Sequence, residues 1–196
     1  MKKCISLANI DAQVSCQDND NVGGIIDNVI YGYWDDVETW PDFPAPAAGG
    51  ETPLSLDAAG KLDGDVVMKA GTCAYKLEHL DETGHFDMTD QGEQGSESVL
   101  YQLDIIRNKM TSVVFGFMNA TRGRKMFFIV TDKNGNSYLM GDKLNAARRI
   151  ASDAASTGTA ATDRNSVPMR FTYTCPRNLI YTGDKVNILT AQNAQS

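Results

Sequence analysis

The sequence lacks any long hydrophobic run, and it has few basic residues. No apolar stretch approaches the roughly 20 residues that a helix needs to cross a bilayer, which excludes an integral membrane protein of that kind. The 18 Lys and Arg stand against 25 Asp and Glu, so the formal net charge is −7. Proteins that wrap duplex DNA supply an excess of Lys and Arg to replace phosphate counterions. The charge therefore opposes a duplex-wrapping protein, because an acidic surface repels a polyanion.

Histidine is scarce, and the common catalytic motifs are missing. The sequence has 2 histidines, His79 and His85, and none of the patterns GxGxxG, GxxxxGK[ST], HExxH or GxSxG. The histidines flank an acidic turn, which could be read as a metal site, but two solvated residues at a hairpin tip explain the pattern better. Acid pairs such as Asp35-Asp36 are interpreted as surface charge, because acid–base catalysis needs a rigidly held carboxylate. We predict no enzyme activity, no catalytic residue, no metal and no cofactor.

Cysteine is also sparse, and its spacing indicates neither a metal site nor a redox motif. The 4 cysteines are Cys4, Cys16, Cys73 and Cys175, none of them in a CxxC pair. We expect isolated thiols in a reducing compartment, with a Cys4–Cys16 disulfide as the alternative. The basic start at residues 1–3 is not followed by the apolar stretch of a signal peptide, so export by that route is not expected.

What the sequence does contain is a series of short segments in which apolar and polar residues alternate. Alternation places one face of a strand inward and the other outward. Clear strands are predicted at residues 25–34 and 167–175, and Asn134-Gly135 between two apolar segments is the strongest hairpin signal. Residues 108–121 have the apolar spacing of a helix instead, at Met110, Val113, Val114, Phe117 and Met118.

These segments, roughly six to eight strands and one helix, predict a mainly β (α+β) fold: an antiparallel β-sandwich or barrel with one flanking α-helix and long loops. We expect a single domain over residues 1–196. A Pro/Gly-rich insertion at about residues 34–64 is predicted to be a long excursion off the core, because its prolines block regular hydrogen bonding. A second, flexible loop is predicted at about residues 145–165, with a helical turn at residues 146–150 as an alternative within it.

Seven residues near these loops are candidates for a subunit interface. Aromatic residues in the first loop either hold it to its own core or anchor it on a neighbouring molecule. For Trp40 the second interpretation predicts that Trp40→Ala weakens assembly and leaves the fold intact. Arginines after the helix and in the second loop either cap the helix end and pair on the surface, or supply complementary charge at a subunit boundary. The candidates are Trp34, Trp40, Phe43, Arg122, Arg124, Arg148 and Arg149.

Three stretches carry a family resemblance when they are taken together. In the first stretch, a cysteine-containing leader at residues 4–16 is followed by Asp20-Asn21-Val22-Gly23-Gly24-Ile25 and a strand. In the second, the helix at 108–121 precedes the hairpin at 127–141. In the third, residues 156–165 precede the strand at 167–174. In this combination the chain resembles the tail tube (major tail) proteins of tailed bacteriophages, particularly those of Bacteroides-like hosts. The resemblance covers roughly two thirds of the chain and rests on the three stretches together.

The resemblance implies a virion structural protein without enzymatic activity. Copies of the chain would form rings, expected to be hexameric, that self-assemble into a stacked tube through which DNA passes without specific binding. The implied partners are the chain itself and neighbouring tail or connector proteins, with no membrane. The implied location is the virion tail, after synthesis in the cytoplasm of the host bacterium. An acidic wall would keep the passing DNA from adhering.

Other functions remain open at this point. The insertion at about residues 34–64 is longer and richer in proline than the family pattern, so a head–tail connector, a tail terminator or another tail ring protein is an alternative. A monomeric soluble binding module, whose loops hold a ligand, belongs to a different class. A hydrolase with an acid-based site is a third interpretation, although no motif supports it.

Overall fold

The structure is a computed structural model, which describes residues 5–10, 21–46 and 52–190. It is mainly β, with 40% strand and 11% helix, and its sheets are antiparallel. This confirms the predicted class, a mainly β fold with one flanking helix. The strands are β1 (Asn28–Tyr33), β2 (Val37–Thr39), β3 (Val67–Met68), β4 (Tyr75–Glu78), β5 (His85–Gln91), β6 (Ser98–Asn108), β7 (Met126–Thr131), β8 (Ser137–Met140), β9 (Arg148–Ile150) and β10 (Ser166–Cys175), and the helices are α1 (Leu56–Ala59) and α2 (Ser112–Ala120), with single 3₁₀ turns at Trp34–Asp36 and Asn187–Leu189.

Two four-stranded sheets pack face to face. The first has the order β4-β1-β7-β8 and the second the order β5-β6-β10-β9, while β2 and β3 form a separate two-stranded sheet. Their inner faces meet in one apolar cluster, in which the rings of Phe128 and Phe171 lie 4.4 Å apart between centroids. The arrangement is a β-sandwich, the packing in which each sheet buries its apolar face against the other.

The antiparallel pair of β6 and β10 is the longest paired element, and buried and less buried side chains alternate along most of both strands. The two strands pair over the whole of β10, from Ser166 opposite Asn108 to Cys175 opposite Val99. Tyr101 and Leu103 in β6, and Phe171 in β10, are fully buried and point into the sandwich. Gln102 and Asp104 point to the opposite face. Alternation of period two produces this division between the faces.

Strand β7 is buried on both faces, because the first sheet is covered on its outer side as well. Phe128 faces the sandwich, whereas Phe127 and Ile129 face a second apolar cluster. Close approach on this side requires a glycine at position 32, because a Cβ there would lie 2.6 Å from a ring carbon of Phe127. The second cluster is completed by Val37, Trp40, Leu62, Val66, Met68, Ala74, Leu139, Leu179, Tyr181 and Ile188.

Both long loops contain more regular structure than the sequence predicted. Parts of the insertion at about residues 34–64 form β2 and α1, and its buried side chains belong to the second cluster, so the prediction of an excursion off the core is wrong. In the second loop, residues 148–150 form β9 against β10, so the helical turn predicted at 146–150 is also wrong. Proline excludes ladder hydrogen bonds locally, but it does not keep a neighbouring Trp or Leu from being buried.

Helix α2 flanks the sandwich and is shorter than the predicted 108–121. The Thr111 hydroxyl accepts a hydrogen bond from the Val114 amide at 3.3 Å, which caps the first turn. Phe117 contacts Tyr31 edge to face at 5.2 Å between ring centroids. Val114 is buried, but Val113 is 79% exposed, so the predicted apolar stripe is only partly covered. No helix in the described part of the chain has the length and apolar character to cross a membrane.

Candidate subunit interface

Trp40 lies inside the second cluster rather than on the surface. It is 7% exposed, and its ring contacts Phe127 edge to face at 5.9 Å and Trp34 at 6.0 Å between centroids. Trp40 therefore holds the first loop to its own core and offers almost no area to another molecule. This burial contradicts the expectation that Trp40→Ala would leave the fold intact.

The other two aromatic candidates are half-buried. The indole Nε1 of Trp34 donates to the Asp142 carbonyl oxygen at 2.7 Å, and the Lys125 ammonium lies 4.5 Å from the Trp34 ring centroid, within the range of a cation–π interaction. Phe43 packs against both apolar clusters. Each side chain retains some exposed area, so both border the surface without forming a continuous patch with Trp40.

The turn after β8 is organised by a carboxylate that the sequence analysis missed. The Asp142 side chain is buried, and it accepts hydrogen bonds from the Leu144 amide at 2.6 Å and the Tyr173 hydroxyl at 2.6 Å. Burial raises the pKa of Tyr173, and the nearby Cys175 thiol raises it further. The signal in the sequence is an Asp two residues after the end of β8, because an Asp side chain commonly accepts a hydrogen bond from the amide two residues on in an Asx turn. Asp142 therefore connects this turn to the Trp34 side chain and to β10 through hydrogen bonds.

The four arginine candidates divide into two groups. Arg149 points inward from β9, donates from Nη2 to the Met118 carbonyl oxygen at 2.9 Å, and thereby caps the end of α2. Burial lowers the pKa of its guanidinium, and the charge of Arg122 lowers it further. Arg122 and Arg124 are exposed just after α2, while Arg148 is exposed on the outer face of the second sheet. The structure thus brings Arg122 and Arg149 together and places Arg148 on the other side of its strand.

Strand β5 leaves one edge of the second sheet open. It pairs with β6 on one side and with no other strand in the described residues. Met88 pairs across from the buried Tyr101 and so belongs to the inward-facing side, yet it is 41% exposed. Phe86, also inward-facing, is half-buried against Tyr138. Backbone groups and apolar side chains are therefore both uncovered along β5, the combination that favours pairing with another chain.

The two histidines do not form a site together. His79 is 6% exposed, and its Nδ1 and Nε2 each lie 3.0 Å from a carbonyl oxygen, those of Leu80 and Ile26 respectively. The interpretation of His79 as a solvated residue at a hairpin tip is therefore wrong. His85 is exposed and lies 3.2 Å from the Asp87 carboxylate. Among the residues that the structure describes, no three His, Cys, Asp or Glu side chains are grouped as they would be around a metal ion.

Comparison with known proteins found no matching family model, no similar curated protein and no similar solved structure. Of the features described above, the open edge at β5 and the exposed arginines after α2 are the surfaces best suited to contact another subunit.

Proposed function

We propose that this chain is a structural protein of a phage tail, the subunit of a tail tube. It assembles into stacked rings that conduct DNA and has no enzymatic activity. The family resemblance of the three sequence stretches supports this proposal, and so does the agreement between the fold which that resemblance implies and the observed β-sandwich with one flanking helix. The proposed location is the virion tail.

The open edge of β5 is the observation that carries the proposal. The second sheet has β5 at one edge and β9 at the other, and its strands alternate in direction. If β9 of one copy lies beside β5 of the next, the two strands run antiparallel and the sheet continues from subunit to subunit. Such a contact is heterologous, and in a closed ring every copy has its β5 edge covered where the three residues of a neighbouring β9 pair with it. Main-chain hydrogen bonds would supply the affinity, and burial of Met88 would add to it.

The exposed face of the same sheet suits a wall that DNA passes without binding. Asp104 accepts a hydrogen bond from the Arg170 guanidinium at 2.6 Å, so the two charges neutralise each other. Asp87 and Arg148 lie on the same face and are of opposite sign. This balance provides no excess of positive charge for phosphate contacts. The face is therefore compatible with a DNA conduit and unsuited to a DNA-binding site.

The test is assembly of the purified protein over a range of concentrations, measured by light scattering and then by negative-stain imaging of the same samples. Wild-type protein should form rings or tubes with a central bore. Met88→Lys should raise the concentration needed for assembly by about tenfold or more, because a lysine on an edge strand opposes pairing. Met88→Leu is the matched control and should assemble like wild type, and circular dichroism should show all three folded.

The outcomes separate self-assembly, growth from rings into tubes, and the role of the β5 edge. A compact wild-type monomer at every concentration would contradict self-assembly and favour the monomeric binding module. Rings that never lengthen into tubes would favour a connector or terminator ring. Unchanged assembly of Met88→Lys would contradict the role of the β5 edge.

A further inference from the structure

An open apolar groove runs between helix α2 and strands β1 and β4. It has a volume of about 400 Å³, within the range of about 300–1,000 Å³ that binding pockets occupy. Two of its lining side chains are prominent: Val113 is 79% exposed and Tyr75 is 53% exposed. Contiguous exposed apolar surface on a protein marks sites of interaction with other molecules. The lining also includes Tyr31, Tyr33, Gly116 and Phe117.

A glycine in the middle of α2 keeps this groove open. Gly116 lines the groove, and a Cβ built at this position would meet no atom within 4 Å. Glycine disfavours a helix interior, so neither helix formation nor close packing accounts for its presence here. Its effect on the surface is to remove a side chain that would otherwise project into the groove. The position also offers a substitution that blocks the groove without a clash inside the chain.

The same chain presents an exposed apolar segment that matches the groove in chemistry. Residues 5–10, here called the arm, contain three large aliphatic side chains: Ile5 is 42% exposed, Leu7 is 82% exposed and Ile10 is 86% exposed. The base of the arm is fixed by a hydrogen bond of 2.7 Å from the Ser6 amide to the Leu54 carbonyl oxygen. Beyond Ser6, the described arm residues lie on the surface. An apolar arm and an apolar groove on one molecule are the two halves of a heterologous contact.

Charge complementarity selects the occupant. The arm is followed in the sequence by residues 11–20, which include Asp11, Asp18 and Asp20 and no Lys or Arg. The groove extends to Thr121 and Met126, between which the chain carries Arg122, Arg124 and Lys125, all exposed. An acidic segment beside a basic rim favours one orientation of the arm and steers association.

We propose that the arm of one copy docks into the α2 groove of a neighbouring copy. The contact is separate from the β5 edge and links subunits through Leu7 and Ile10 on one side and Phe117 and Tyr75 on the other. It deepens the proposed tube function and rests on it for self-association. Docking buries the exposed aliphatic side chains of the arm and Val113 in one step, and hydrophobic burial drives it.

The first test measures binding of a fluorescently labelled peptide of residues 1–20 to the full-length protein by anisotropy. Wild-type protein should bind the peptide saturably. Gly116→Leu should weaken binding by about tenfold or more, because its side chain occupies the volume that the arm needs, and a peptide with Leu7→Asp should lose a similar amount. Gly116→Ala is the matched control and should retain binding. Arg122→Gln should reduce the salt dependence of binding.

The second test measures assembly of full-length Leu7→Asp beside Leu144→Asp. Leu144 is 87% exposed and is not among the side chains that line the groove, so it controls for the loss of one exposed leucine. Leu7→Asp should assemble less than Leu144→Asp at equal concentration. Equal assembly of the two would overturn the proposal.

The two readouts separate this contact from the tube function. Wild-type tubes without peptide binding would overturn the arm–groove contact and leave the tube function standing. Peptide binding that Gly116→Leu does not weaken would overturn the groove as the docking site. Peptide binding by a chain that stays monomeric at every concentration would overturn the second copy as occupant, because the arm would then reach its own groove.

Discussion

Removal of the Trp40 side chain tests whether the first loop is part of the core. Trp40 is 7% exposed, its ring contacts Phe127 and Trp34, and two of its ring atoms would lie 3.2 Å from a Cβ placed on Gly141. Phe or Trp to Ala substitutions at such sites cost about 3–5 kcal/mol. The two aromatic pairs place the expected loss toward the upper part of that range, because each adds about 0.5–1.5 kcal/mol beyond area burial. Trp40→Ala should therefore remove a large share of a total stability of about 5–15 kcal/mol.

Urea unfolding followed by circular dichroism measures this loss. The chain has 2 tryptophans, so Trp34 is the single tryptophan fluorophore of the Trp40→Ala variant and reports on the neighbouring turn. Trp34→Phe is the matched control: it removes the hydrogen bond to the Asp142 carbonyl oxygen and should cost about 1 kcal/mol. A loss below about 1 kcal/mol for Trp40→Ala would refute the placement of this side chain in the core, since even modest cavities cost more.

Two further predictions concern ionisation and close packing. Burial raises the pKa of Tyr101 and Tyr173 in the folded state. The free energy of unfolding should therefore keep its full value below the ordinary tyrosine pKa of 10.0. Above that pH it should fall by about 1.4 kcal/mol per pH unit for each of the two groups, because the unfolded chain ionises first. Tyrosinate absorbance, measured beside circular dichroism over the same pH range, checks this prediction. Ionisation of both hydroxyls near the ordinary pKa of 10.0 in a chain that is still folded would contradict it. A Cβ on Gly84 would lie 2.4 Å from Cε1 of His79, so Gly84→Ala should cost about 1–3 kcal/mol in urea unfolding. Gly116→Ala, which meets open space, should instead gain about 0.5–1 kcal/mol, and equal effects of the two substitutions would argue against the packing around His79.

Alternating segments made most of the sandwich predictable. The strand at 167–175 and the hairpin around Asn134-Gly135 appear in the structure as β10 and as β7 with β8. The sequence could not reveal β9, because three residues carry no alternation pattern and their pairing depends on β10. The prediction that the first loop leaves the core was wrong as well. Proline content is a local property, and it does not show whether neighbouring side chains pack against the second face of β7.

The candidate interface was less predictable than the fold. Sequence position alone placed Trp40 and Trp34 together as loop aromatics, but burial depends on contacts with Phe127, which is distant in the chain. Helix-end capping was one of the two roles open to the arginines after α2 and in the second loop, and Arg149 has that role. The place of Met88 on an open edge follows from the pairing order of the sheet, which a single sequence does not contain.

The two-sided burial of β7 has a consequence for the order of events during synthesis. The strands of the sandwich end at Cys175, but the second cluster also needs Leu179, Tyr181 and Ile188. The backbone bonds from Tyr181 to Ser137 and from Ala74 to Ile188, both 2.7 Å long, attach this last segment to earlier strands. Until residue 188 has left the ribosome, Phe127 and Ile129 lack part of their cover, so a nascent chain shorter than this exposes apolar surface. Closure of the second cluster is therefore a late step relative to synthesis of the sandwich strands, and an encounter between nascent copies before that step is the point at which aggregation competes with folding.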